Sequence, residues 1–125
     1  MTISTTIDKK NNIAYHKAFD VLTVDEIEGA INNLFNNPDF DPSMNILAEI
    51  QPGCTSSLGS DEVHNLVTLS RNLKNRSGPG RTAVVVSDNA DYGIFHVLEF
   101  LLKDEARKLK VFKSLESGQE WLSER

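Results

Sequence analysis

A chain of 125 residues that is 39% apolar and 25% charged has the make-up of one globular domain, residues 1–125, and excludes both disorder and a fibrous protein. The net charge of −5 excludes a general nucleic-acid binder, which needs a basic face to release counterions. A single cysteine, Cys54, excludes an internal disulfide and fits a reducing, cytoplasmic setting.

The first element expected is a β-hairpin. Ile3, Thr5 and Ile7 alternate with polar neighbours, as do Ile13, Tyr15 and Phe19, and Lys9-Lys10-Asn11-Asn12 joins them. The N-terminus, Met1 to Asn12, has no apolar core of the kind expected of a signal peptide. A helix begins after Thr23, where Thr23 with Glu26 makes a capping box and Leu22 with Ile27 a hydrophobic staple. Ile27, Ala30, Ile31, Leu34 and Phe35 share one face of it, and Asn36-Asn37-Pro38 ends it.

A strand is expected over Met44 to Ile50, carrying the acid Glu49, followed by the loop Gln51 to Gly59. Ser60 is the expected N-cap of a second helix with Val63, Leu66, Val67 and Leu73 as its buried stripe. Asn75 to Gly80 reads as a loop. Thr82 to Val86 is a continuous β-branched run suited to a strand covered on both faces.

Ser87 to Asp91 is then a polar loop, with Tyr92 to Leu102 helical. Ile94, Val97, Leu98, Leu101 and Leu102 form its expected sheet-facing stripe, which leaves the aromatics Tyr92, Phe95 and Phe100 on its flanks. The apolar stretch of this helix is too short to span a bilayer and is broken by His96 and Glu99. Leu109 and Val111 alternate with lysines in a last strand. Ser114 caps a final helix, with Leu115, Gly118, Trp121 and Leu122 on one side. The order ββαβαβαβα means an α/β fold whose parallel pairs need the intervening helices as crossovers.

Charge is unevenly spread. Residues 1–62 hold ten acids and three bases, a net −7, whereas residues 63–125 hold eight acids and ten bases, a net +2. The bases at 103, 107, 108, 110 and 113 read as a helix C-terminus and a lysine-protected edge strand.

Three segments in this order resemble the SpoIIAA-like family of STAS/SEC14-type domains. They are Asn37-Pro38-Asp39-Phe40-Asp41-Pro42-Ser43-Met44-Asn45, then Arg81-Thr82-Ala83-Val84-Val85-Val86 followed by Tyr92-Gly93, then Val111-Phe112-Lys113-Ser114-Leu115-Glu116 with Trp121-Leu122. The resemblance implies a mixed sheet with an N-terminal hairpin and helices packed on it. It also implies bacterial relatives without assigned activity and kinship with small lipid-carrying folds. Where the antagonists of this family carry an Asp-Ser-Ser-Gly segment with a phosphorylated serine, this chain has Thr55-Ser56-Ser57-Leu58-Gly59, which makes Ser56 and Ser57 the candidate phosphorylation sites. Glu49 stands where the family often has Asp.

The residues themselves offer little catalytic chemistry. His16, His64 and His96 share no motif spacing with one another or with Cys54, so neither a metal site nor a nucleophile–base pair is expected, and no cofactor. Two functions follow as expectations. The first is a non-enzymatic regulatory or protein-interaction module, a homodimer through Tyr92, Phe95 and Phe100. The second is a binder of a small apolar or anionic, lipid-like ligand at the carboxyl ends of the strands, lined by Glu49, Ser57, Ser87, Asp88 and Tyr92.

Overall fold

The alternating residues of the N-terminus pair as expected in the computed structural model, which describes residues 2–124. Strand β1 (Ile3–Asp8) and strand β2 (Ile13–Ala18) form an antiparallel hairpin, with Ile3 opposite Ala18 and Asp8 opposite Ile13. Asn12 takes a positive φ of 56°, a conformation that asparagine tolerates better than most residues. Beyond β2 the sheet is parallel. β3 (Asn45–Ile50), β4 (Arg81–Val86) and β5 (Lys108–Phe112) follow in sequence order, giving β1-β2-β3-β4-β5 across the sheet.

Among the described residues five helices connect and cover these strands: α1 (Val24–Phe35), α2 (Ser60–Asn72), the single turn α3 (Lys74–Ser77), α4 (Asn89–Leu101) and α5 (Leu115–Ser123). At α1 Thr23 and Glu26 pair as cap and N3 residue, the Glu26 N–H donating to Thr23 Oγ1 at 3.2 Å and the Thr23 hydroxyl to Glu26 Oε1 at 3.1 Å, and Leu22 and Ile27 pack in one cluster with Ala18 and Cys54. α5 lies alone on one face of the sheet. There Leu122 and Trp121 pack on Leu47, Ala83, Val85 and Phe112, and Gly118 lets the helix approach so closely that an added Cβ would stand 3.1 Å from Val85 Cγ2. α1, α2 and α4 cover the other face, where the main core joins Ala48, Val84, Val86 and Val111 to Leu66, Val67, Phe95 and Leu98.

Several boundaries differ from expectation, each for a local reason. The N-cap of α2 is Gly59, not Ser60, because the Glu62 carboxylate reaches back to accept the Gly59 N–H at 2.9 Å. The segment 75–80 is not all loop, since α3 adds a turn before Gly78 turns the chain at φ 71°. β2 stops at Ala18, so Phe19 lies outside it and is exposed, and Leu115 is likewise exposed rather than buried with Trp121.

The largest revision concerns α4. It starts at Asn89, with Asp88 as N-cap accepting the Ala90 N–H at 2.7 Å, so Asp91 belongs to its first turn rather than to a preceding loop. Its inner face is Asp91, Phe95, Leu98 and Leu102, at i, i+4, i+7 and i+11. Val97 and Leu101, expected on the sheet, are exposed, and Phe95, expected on a flank, is buried in the core. Tyr92, Phe95 and Phe100 therefore do not share a surface.

Candidate functional site

Space opens on the three-helix face because the sheet residues there are small. Along β2 the positions facing α1 are Ala14, His16 and Ala18, and beside them on β3 stands Ala48. The apolar stripe of α1 cannot close down fully on so shallow a floor. Ile27, Ala30, Ile31 and Phe35 stay only half-buried, and Leu34 alone is fully so. The result is a cavity of about 200 Å³ between the sheet and α1, α2 and α4. Its floor is His16, Ala18, Ile46, Ala48, Ile50 and Val84, and its roof includes Ile27, Ala30 and Ile31 from α1, Leu66 and Leu69 from α2, and Phe95 and Leu98 from α4.

Polar groups sit at two places. At the end near the start of β4 and β5 the lining includes Ser70, Ser77, Thr82, Glu105 and Arg107. Arg107 is held by backbone carbonyls: Nε donates to Ser77 O at 2.8 Å, Nη2 to Pro42 O at 3.0 Å and Nη1 to Arg81 O at 3.4 Å. Burial lowers its pKa to about 10, still well above neutrality. This arginine ties three loops together, and it closes over Gly80, where an added Cβ would stand 2.8 Å from Arg107 Nη2 and 2.1 Å from Met44 O.

The second polar group is His16, on the hairpin side of the floor, opposite Thr5 on one side and Ala48 on the other. The Thr5 hydroxyl and His16 Nδ1 share a hydrogen bond of 2.8 Å. Burial among apolar side chains pushes the imidazole pKa from 6.5 down to about 4, so the ring is neutral near pH 7. The unfolded chain takes up this proton near pH 6.5 and the folded chain only near 4, so the stability associated with a neutral His16 is fully present above pH 6.5 and is lost as pH falls toward 4. The upper limit is about 3 kcal/mol, less what water at the open side of the cavity screens. Urea unfolding of wild type and His16→Phe at pH 7 and pH 4.5 reads this difference, and equal pH slopes for the two proteins would refute it.

The residues expected at the carboxyl ends of the strands lie there, at or just after the ends of β3 and β4, but away from the cavity. None of Glu49, Ser57, Ser87, Asp88 and Tyr92 lines the cavity. Glu49 alternates with the cavity-facing Ala48 and Ile50 and so belongs to the α5 face of β3. The Ser57 hydroxyl donates to the Leu22 carbonyl, and Ser56 and Ser87 are exposed. Asp88 caps α4. Tyr92 stacks on His96, ring centroids 5.7 Å apart, with Lys113 Nζ 5.1 Å from its centroid. Cys54 is buried, and desolvation followed by the nearby Asp91 charge raises its pKa, the opposite of what activates a thiol.

The structure brings together a buried polar group that sequence reasoning placed in a loop. Asp91 is 1% exposed and accepts the Gly53 N–H at 3.0 Å, the Thr55 N–H at 3.1 Å and the Thr55 hydroxyl. It pins the loop after β3 to the first turn of α4. Sequence offered one signal for it: an acid one helical turn before Phe95 on the same face. His16 had a signal as well, a polar residue at a period-two position that Ala14 and Ala18 mark as inward. No group of three or more histidine, cysteine or acidic side chains among the described residues could hold a metal ion. No helix among them is long and apolar enough to cross a membrane.

No family model and no curated protein matches the chain. Among solved structures it is similar to an uncharacterised protein of the DUF3478 family from Shewanella loihica PV-4, described as having a SpoIIAA-like fold. The likeness covers 96% of this chain and 93% of that one, at a TM-score of 0.57 and 12% identity. With the hairpin leading into a parallel run of three strands, three helices on one face and α5 on the other, this chain has the SpoIIAA-like fold.

Proposed function

We propose that the protein is a non-enzymatic, cytoplasmic binding module that holds a small apolar ligand between its sheet and helices α1, α2 and α4. The cavity of about 200 Å³ carries this reading. A void bounded by so many aliphatic side chains forgoes dispersion contacts and destabilises the empty fold, a cost that a ligand offsets. The site lies under the helices rather than at the carboxyl ends of the strands. Its size falls below the roughly 300–1,000 Å³ of drug-sized sites, which suits a small molecule better than a full-length lipid.

The test is native mass spectrometry of protein purified gently from its own source, beside an Ala48→Leu variant. Wild type is expected to carry extra mass that disappears on denaturation. The variant fills the floor, so it should fly at its apo mass while its stability stays level or rises by about 1 kcal/mol. A clean apo mass for wild type, with a variant less stable than wild type, would overturn the ligand reading.

A second reading, a regulatory module acting through protein contacts as a homodimer, draws on a different observation. Val97, Phe100 and Leu101 make an exposed apolar stripe on α4, at 47%, 63% and 40% exposure. Sedimentation of Phe100→Glu reads it: a dimer that becomes a monomer supports this reading, and a wild type already monomeric at high concentration removes it.

A further inference from the structure

Resting on the cavity reading above, we infer that the ligand is a neutral, single-ring compound carrying one hydroxyl, of the phenol or cyclic-alcohol class, anchored on His16 Nε2. Size comes first. An engineered apolar cavity of about 150 Å³ holds benzene, so about 200 Å³ suits one ring with a short substituent.

Charge comes next. An ionised group moved into an apolar cavity needs a partner there, or its desolvation cost is not recovered. Arg107 and Glu105 both sit at the far end, where the arginine already spends donors on Pro42, Ser77 and Arg81 carbonyls. On the hairpin side of the floor stands His16, held neutral by its apolar surroundings, so a neutral ligand fits that position best.

The polar group follows from the imidazole. With Nδ1 bonded to Thr5 Oγ1, Nε2 is the ring nitrogen left to a ligand. Depending on which way the Thr5 hydroxyl points, Nε2 is a donor or an acceptor. A hydroxyl can accept or donate and serves both tautomers, whereas a carbonyl or an ammonium serves only one. The Thr5 bond also holds the ring in one orientation, so less freedom is lost when the ligand binds.

The test uses p-cresol, toluene and benzoate as probes of one size, with affinities from calorimetry and the His16 ring nitrogens followed by long-range ¹H–¹⁵N spectra. p-Cresol is expected to bind roughly tenfold tighter than toluene, the scale of one neutral hydrogen bond, and to shift the Nε2 resonance. His16→Phe, which keeps an aromatic ring on the floor, should reduce p-cresol to the toluene level and leave toluene unchanged. If that variant fails to fold, the wild-type affinity ratio and the Nε2 shift still decide. Equal affinities for p-cresol and toluene, with Nε2 unmoved, would overturn the anchor and leave the apolar cavity standing. Tighter binding of benzoate would overturn the neutral class. If no probe binds, the cavity reading itself fails and takes the inference with it.

Discussion

Replacing Asp91 with alanine is expected to cost about 3–5 kcal/mol of stability, because the substitution strands three donors at once. The Gly53 and Thr55 N–H groups and the Thr55 hydroxyl all point at this one side chain, and Thr55 is itself only 4% exposed. Alanine offers them no acceptor, and the tight packing admits little water in its place. Asp91→Asn keeps the shape and one oxygen but turns an N–H toward the same donors, so its loss should be intermediate. Thr55→Val removes only the hydroxyl and should cost about 1–2 kcal/mol. Urea unfolding of the single and double variants measures these values, and the double variant should lose less than the sum because both substitutions break the same bond. Release of the 51–59 loop has a second readout. Cys54, within that loop, is buried against Ala18 and Leu22, so a thiol reagent should modify it much faster in Asp91→Ala. A variant within about 1 kcal/mol of wild type, with Cys54 still protected, would show that the clamp is not needed.

Phe95→Glu and Phe100→Glu, one helical turn and a residue apart on α4, should behave in opposite ways. Phe95 is 8% exposed, packs in the main core and closes the roof of the cavity. A carboxylate there loses the aromatic contacts and gains a buried charge with no cation beside it. The loss should exceed about 4 kcal/mol, and the protein should be expressed unfolded or as an expanded state. Phe100 is 63% exposed and shares its ring face with Lys103, whose Nζ lies 4.3 Å from the centroid. Glutamate at that position should leave stability within about 0.5 kcal/mol. Circular dichroism and thermal melts of the two proteins separate the cases. A well-folded Phe95→Glu would mean that the inner face of α4 has been assigned to the wrong residues.

The rotation of α4 about its axis is set by a tertiary contact. The helical periodicity of α4 is real, but Ile94, Phe95, Val97, Leu98, Phe100, Leu101 and Leu102 are apolar nearly all round the axis. A stripe drawn through Val97 and Leu101 fits the spacing as well as one drawn through Phe95 and Leu98. What rotates the helix is Asp91, whose carboxylate must meet the 53–55 backbone donors, and those donors arrive from 36 to 38 residues earlier in the chain. α1 and α2 are different. Each has a polar face that leaves one orientation available: the expected α2 stripe Val63, Leu66, Val67 and Leu73 is buried, and the expected α1 face turns inward with Leu34 buried and Ile27, Ala30, Ile31 and Phe35 half-buried.

The same distinction separates the fold from the site. Local signals suffice for the order of elements: the alternation in β1 and β2, the capping box of α1 and the unbroken Thr82–Val86 run are short-range patterns, each stable in one conformation only. From them come the hairpin, the parallel run and hence the SpoIIAA-like architecture. The cavity is decided otherwise. Alanines at 18 and 48 look like ordinary core residues in sequence. They become a shallow floor only when β2 and β3 pair in the register that sets His16 beside Ala48, and α1 spans them on its larger side chains. A void is the difference between the volumes that facing elements bring to one place, and no single stretch of the chain contains that difference.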